Sequence, residues 1–314
     1  MQIRFFVQQA YAGARLRGFL RAQGVSAAVF RRAKVVPGAL KVNGLQATAT
    51  SVLQVGDEIT LTLTEKAQEA TLMAQDIPLE ILAETQHYMA VNKPAGQVVH
   101  PTRGYQTGTL AAAYLYELQK RGQAGIPRAV GRLDKNTSGV VVFAKNQFAQ
   151  HAYPTATRKT YLAIVQGEMP PGEGVFTGSI DFAQGSIIQR AVLPTGKESR
   201  TVYKVLFCAQ GHTLVVVQPV TGRTHQIRVH FSHAGYPLAG DELYGGRTDY
   251  IPRQALHCAL AHLPHLAGEE GQGEQMQVYA PPPEDFVRWG QTLFGCTQRE
   301  LQTLVQENTF LQEQ

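Results

Sequence analysis

Two short stretches carry residue types from which chemistry can be built. Gly131-Arg-Leu-Asp-Lys-Asn-Thr-Ser-Gly139 places a carboxylate, Asp134, just ahead of the apolar run Val140 to Ala144. A carboxylate at such a loop–strand junction can be held rigidly while its oxygens face a cleft. A neighbouring guanidinium, Arg132, would favour its ionised form, and Thr137 and Ser138 are placed to hydrogen-bond the local backbone. A salt-bridged turn that merely starts a strand has the same composition, and this segment alone does not separate the two readings. The second stretch is Thr221-Gly-Arg-Thr-His-Gln-Ile-Arg228, followed by His230. It sets Arg223, His225 and Arg228 at the start of a helix predicted over Thr224 to His233, where planar guanidinium forks and a helix N-terminus suit a phosphate or carboxylate. Ile227, Phe231 and Ala234 give that helix an apolar face, as an ordinary surface helix would also have. His225 and His230 are five positions apart, a poor spacing for metal ligands on one helix face. Cys208, Cys258 and Cys296 form no CxxC pair, so neither a zinc site nor a disulfide framework is expected.

The elements that must position these residues divide into two patterns. From Arg15 to Gln23 runs an amphipathic helix stopped by Gly24, and Ser26 is placed to cap a second helix through Lys34. Pro37-Gly38 marks a turn, Leu40 to Val42 a short strand, Asn43-Gly44 a hairpin turn, and Ile59 to Leu63 alternates as a strand does. Glu65 to Asp76 is polar and alanine-rich, as a linker is. Beyond it short strands dominate: Tyr88 to Val91, Val140 to Ala144, Lys159 to Gln166, Ser199 to Phe207 and His212 to Val217. Two helices are expected beyond Pro283.

The chain of 314 residues is long enough for two domains, and its 44% apolar and 17% charged residues are those of a folded protein. No apolar run reaches the ~20 residues that span a bilayer, and Met1 to Gln9 lacks the build of a signal peptide, so a cytoplasmic protein with no membrane partner is expected. Up to Thr64 stand Arg4, Arg15, Arg17, Arg21, Arg31, Arg32, Lys34 and Lys41 against only Asp57 and Glu58. That segment therefore carries +6 of a net +5, and the remainder −1. A basic module on a near-neutral body points to a polyanion held by one end.

Six ordered segments then resemble the RluA-like pseudouridine synthases. They are Val91-Asn-Lys-Pro-Ala-Gly96 with Val99-His-Pro101, Arg132 to Gly139, Arg158-Lys-Thr-Tyr161, Thr221 to Arg228 with His230, Gly240-Asp241 with Tyr244-Gly245, and Ala255-Leu-His257. Together they span roughly residues 77–280. Ahead of them, Arg17 to Leu20, Lys41-Val-Asn-Gly44 and Val55-Gly-Asp-Glu-Ile59 resemble the S4 RNA-binding domain, with Ala27 where that domain usually has a basic residue. The resemblance implies an α+β fold: a mixed, mainly antiparallel sheet with flanking helices and a central cleft, plus the small α+β unit. The expected division is an S4-like domain over 1–64, a linker over 65–76 and a catalytic domain with a helical tail over 77–314. It implies that Asp134 is the essential carboxylate, that Arg228 pairs with it and that Tyr161 is the active-site tyrosine. Leu256 would line the uracil pocket, and Arg132, Arg223, Thr224 and His225 would bind substrate. Arg17, Arg21, Arg31, Arg32, Lys34 and Lys41 would grip RNA backbone. Gly131 departs from the family, which usually carries histidine or another polar or aromatic residue there. A histidine at that place would help to flip the base or fill its vacancy.

The chemistry implied is isomerisation of a flipped-out uridine, in ribosomal or else transfer RNA, by a monomer without cofactor or metal. Asp134 would attack C1′ or take the C2′ proton, while Tyr161 packs on the base and assists at C5. Two other readings use the same residues. One is a non-catalytic RNA-binding or ribosome-assembly factor on this scaffold. The other is a hydrolase with Asp241 as second acid, set against a structural turn aspartate.

Overall fold

The computed structural model describes residues 1–63, 72–153, 159–267, 269 and 274–308. Most of the expected linker, and Arg158 of the Lys-x-Tyr segment, lie outside these residues. The N-terminal part contains β1 (Gln2–Phe6), α1 (Leu16–Ala22), α2 (Ala27–Val35), β2 (Leu40–Val42), β3 (Leu45–Gln46) and β4 (Glu58–Thr62). Its four strands lie in the order β1-β4-β2-β3. Asn43 and Gly44 turn β2 into β3 with φ of 50° and 79°, the left-handed pair that a two-residue hairpin requires. The Ser26 hydroxyl accepts a hydrogen bond from Val29 N at 3.2 Å, starting α2 as its type suggests. β1 was not among the expected strands. Its signal is present in the alternation of buried Ile3 and Phe5 with exposed Gln2, Arg4 and Phe6. Leu16, Phe19, Leu20, Val29 and Phe30 pack with Ile3, Phe5, Ile59 and Leu61 in one core, and Phe148 from the rest of the chain is buried in it too.

The larger part runs β5 (Glu80–Glu84), β6 (Tyr88–Lys93), α3 (Leu110–Lys120), β7 (Arg128–Val130), β8 (Ser138–Ala144), α4 (Gln147–Ala152), β9 (Lys159–Gln166), β10 (Glu173–Phe182), β11 (Arg190–Val192), β12 (Lys197–Ala209), β13 (His212–Pro219), α5 (Gln226–His233), β14 (Leu256–Pro264), β15 (Gln275–Tyr279), α6 (Glu284–Phe294) and α7 (Gln298–Glu307). Eleven strands form one sheet in the order β11-β10-β12-β13-β9-β14-β8-β6-β5, with β15 on β14 and β7 on β8. All described pairings are antiparallel except β14 with β8. The expected mixed, mainly antiparallel α+β fold is therefore present. Alternation along β9 explains its two-sided burial: Leu162 and Ile164 pack with Phe286, Trp289 and Leu301 of the tail helices, while Tyr161, Ala163 and Val165 face the core that includes Ile227 and Phe231 of α5. α7 starts with a capping box made by Thr297 and Glu300.

The parallel contact is short. It joins His257 to Ser138 and Cys258 to Gly139, after which β14 continues beside β9 and β15. Gly139, at φ 113°, lets the Cys258 backbone approach so closely that any Cβ would overlap its carbonyl oxygen. His257 clamps the same junction, Nδ1 with Ser138 Oγ at 2.9 Å and Nε2 with Ala280 O at 2.9 Å. Since a carbonyl only accepts, Nε2 carries the proton and Nδ1 accepts from the serine.

Gly139→Ala is expected to lower the unfolding free energy by at least ~2 kcal/mol in urea titrations. A wild-type midpoint would show that the two strands separate freely here. A second expectation concerns acid. Burial pushes His257 and His230 down to about 4 from an ordinary 6.5, so both are neutral in the folded chain. Below pH 6.5 the unfolded chain binds protons that the folded chain refuses, so stability is complete above 6.5 and falls as pH drops towards 4. Each histidine is expected to cost about 2 kcal/mol by about pH 5, above most carboxylate titration. A urea midpoint that stays flat over that window would contradict this.

Candidate active site

The cleft lies where β8, β14, β9 and β13 stand side by side, and it encloses about 760 Å³. Asp134 comes from the loop between β7 and β8, Tyr161 from β9, Leu256 from the start of β14, and Arg223, Thr224, His225 and Arg228 from the segment after β13. All of these, with Arg132, line the one cavity. Its centre is a charged triad. Arg228 Nη1 donates to Asp134 Oδ2 at 3.1 Å, while Nε and Nη2 donate to the two oxygens of Asp241 at 2.7 Å each. The side chains of Arg228 and Asp241 are 8% and 1% exposed, that of Asp134 26%. One cation between two anions leaves one negative charge over, and Asp134 is the carboxylate open to the cleft. The two carboxylates hold Arg228 above its ordinary range despite burial, so it stays charged.

His225 Nε2 stands 3.9 Å from Asp134 Oδ2. Burial is the largest influence on this imidazole and lowers it, Asp134 acting in the opposite sense, so the contact is that of a neutral ring and not a full ion pair. The helix expected from Thr224 begins at Gln226, because His225 adopts a left-handed φ of 59° as its cap residue. That conformation is costly for a non-glycine residue, and the hydrogen bond between His225 Nδ1 and the Tyr244 hydroxyl at 2.8 Å holds it. The Tyr244 ring also lies 4.9 Å from the Arg228 guanidinium carbon. Gln226 ties the preceding turn together. Its Oε1 accepts from the Thr221 hydroxyl and from Arg223 N, and its Nε2 donates to Arg200 O and the Thr201 hydroxyl.

Three successive carbonyls in the Asp134 turn have donors. Asp134 O accepts from Thr137 N, Lys135 O from Gly96 N and Lys93 Nζ, and Asn136 O from Arg253 Nη1. Lys93 is fully buried and also donates to Pro94 O and Gln97 O. Burial pushes its ammonium down to about 7, with Asp134 favouring its charge. Arg253 is fixed in turn by both oxygens of Asp285 at 2.7 and 2.8 Å.

Two local expectations need correction. Arg132 lines the cleft but is exposed, and among the described residues the cationic partner of Asp134 is Arg228. The side chains of Thr137 and Ser138 bond not to local backbone but to side chains distant in sequence, Gln254 Nε2 and His257 Nδ1. Tyr161 is 7% exposed. Burial pushes its phenol well above the ordinary value, and the hydroxyl is engaged with the Cys258 side chain. Asp241 is committed to Arg228 and buried, so it is not placed as the second acid that a hydrolase would need. Lys93, Tyr244 and Arg253 were not among the expected site residues. A lysine two positions after the apolar run Tyr88 to Val91 was the available signal for the first. No group of three or more potential metal ligands occurs among the described residues, and none of their helices is long and apolar enough to cross a membrane.

A family model described as RNA pseudouridylate synthase matches residues 87–233. The uncharacterized RNA pseudouridine synthase YjbO of Bacillus subtilis is 36% identical over 270 residues, covering 84% of this chain and 94% of that one. Ribosomal large subunit pseudouridine synthase D of Pseudomonas aeruginosa is 39% identical over 275 residues, covering 80% and 82%. Among solved structures, human RNA pseudouridylate synthase domain containing 4 aligns with a TM-score of 0.54 at 24% identity, over 67% of this chain and 91% of that one, a likeness of fold.

The triad's geometry separates its two acids. Asp241→Asn is expected to destabilise the fold by about 3 kcal/mol, because a buried guanidinium loses its main partner. Asp134→Asn, at a carboxylate partly open to solvent, is expected to cost under ~1 kcal/mol. Equal losses in urea unfolding would show that Asp241 is not the anchor.

Proposed function

The chain belongs to the RluA-like family of RNA pseudouridine synthases, and from that premise we propose that Asp134 converts a flipped-out uridine in RNA to pseudouridine. The observation that carries this reading is the single carboxylate left uncompensated beside Arg228, open to a cleft whose walls include Tyr161 and Leu256. Uracil must leave C1′ of its ribose, turn and rejoin through C5, which a stacked base cannot do. The charge of Asp134 serves at the sugar, either attacking C1′ or removing the C2′ proton. Arg228, kept cationic by its carboxylate partners, holds that carboxylate in place at the cleft. Leu256 and the Tyr161 ring enclose the detached base and keep water from carrying it off. Tyr161 serves as a wall of that pocket, its buried phenol pushed above the ordinary value. Arg132, Arg223, Thr224 and His225 line the approach and contact the RNA around the base.

The basic N-terminal unit, which carries the S4-like pattern, grips RNA outside the cleft. Arg17 and Arg21 on α1, and Arg31, Arg32 and Lys34 on α2, are exposed, and Lys41 on β2 is half-buried. Arg32 also bonds to Gln147 of α4, which ties that surface to the larger part. Large-subunit ribosomal RNA is the proposed target, supported by the name of the Pseudomonas relative.

Asp134→Asn is expected to fold and bind RNA but to lower tritium release from 5-tritiated uridine in RNA by at least about a thousandfold, the loss typical of a residue that acts in the transition state. Retention of a tenth of wild-type release would remove Asp134 from the reaction. Mapping of pseudouridine in RNA from a strain lacking the protein identifies the target: loss at a large-subunit ribosomal position is expected, and loss only in transfer RNA would redirect it.

A further inference from the structure

A second cavity of about 430 Å³ adjoins the cleft and shares Gly222, Arg223 and Thr224 with it. The hairpin of β10 and β11 forms its wall, and Arg190, Lys197 and Arg223 line it. Among the described residues none of these three cations is ion-paired with a carboxylate. The Arg190 guanidinium lies on the Phe182 ring, 3.3 Å from its centroid, and its Nε is buried without a hydrogen-bond partner among the described residues. Arg223 spends only Nε, on Glu198 O at 3.0 Å. Asp181 is the acid on this wall. Its carboxylate accepts from Phe182 N at 2.8 Å and from the Thr195 hydroxyl at 3.5 Å. Arg190 N donates to the same Tyr244 hydroxyl that bonds His225, so the wall is fastened to the catalytic segment.

Three cations against the one carboxylate of Asp181 leave the lining of this small cavity at +3 − 1 = +2, which favours an anion. The adjoining cleft is lined by further cations, Arg132, Lys135 and Lys159 among them, so the two cavities share one basic surface suited to an RNA backbone. Beside the cations stand exposed apolar groups, Phe182 and, at the cleft itself, Ile188, which suit contact with a nucleotide's base and sugar without reading sequence. We propose that this cavity holds the phosphodiester of the nucleotide next to the flipped uridine, gripped by Arg190, Lys197 and Arg223. The inference rests on the reading of the main cleft as a uridine site.

The test measures binding without turnover. In full-length Asp134→Asn protein, anisotropy of a fluorescein-labelled oligouridylate is followed across a salt series. Adding Arg190→Gln and Lys197→Gln together is expected to weaken binding about tenfold and to flatten the slope of log Kd against log salt by about 1.4, the loss of two single-strand phosphate contacts. Lys197→Gln alone, at an exposed residue that cannot disturb the fold, is expected to flatten it by about 0.7. Unchanged affinity and slope in both variants overturns the subsite and leaves the uridine reading standing. Absence of oligouridylate binding by the parent protein overturns both. Millimolar inorganic phosphate at matched ionic strength is expected to leave binding unchanged, and displacement equal to the double variant's loss would replace the proposal with a site for free anions.

Discussion

A buried guanidinium cannot remain charged without partners, and the arrangement around Arg228 follows from meeting that demand twice. Asp241 meets it structurally, with two short bonds and almost no solvent. Asp134 meets it with a single bond and keeps the rest of its carboxylate open. The division matters for chemistry because one carboxylate alone would be largely neutralised by its arginine. With two, the triad keeps one carboxylate charge over, in a partly enclosed cleft where electrostatic effects are stronger than in water. The same demand places α5: Arg228 must reach inward from its first turn, which requires the tight Thr221–His225 turn, the Gln226 bonds that tie it and the left-handed His225.

The carboxylate also has to stay where the guanidinium can find it. The Asp134 turn is suspended between strands β7 and β8, and its fixity comes from other parts of the chain. Lys93 and Gly96 reach it from the end of β6, Arg253 and Gln254 from the segment before β14. Those two segments flank the short parallel contact at which Gly139 admits the Cys258 backbone. The cleft thus opens beside a close backbone approach in the sheet. Leu256 and Tyr161 stand on the paired strands β14 and β9 beside that approach.

Much of this was legible in sequence, and the division is physical. Residues adjacent along the chain declare their elements: the Asn43-Gly44 hairpin, the Ser26 cap and the strand over Lys159 to Gln166 stand where their types place them. Asp134, Tyr161, Arg228 and Leu256, identified by resemblance, do line one cavity. What could not be read were pairings across distance. Arg132 is next to the aspartate in sequence, and Arg228, 94 positions away, holds it. Thr137 and Ser138 look like local turn residues and instead bond Gln254 and His257, each more than 100 positions on. Asp241 reads as a turn aspartate, since nothing in Gly240-Asp241 reveals a guanidinium arriving from the helix before it. Chain proximity predicts hydrogen bonds within a turn; it does not predict which charge a fold will bury against which.

Gly131 shows how backbone conformation and site composition are joined. It sits at φ 77°, in the left-handed region where glycine is free and other side chains are strained. It also lines the cleft, three residues before Asp134. Only backbone is present at that point, and Arg132 and His100 line the same cleft. Burial, and then the charge of Arg132, lowers His100 from its ordinary value, so the ring is neutral at neutral pH and Arg132 is the charged member of the pair. Relaxing the turn and removing the side chain are therefore one change. The turn that presents Asp134 thus starts at a residue free to take a left-handed φ.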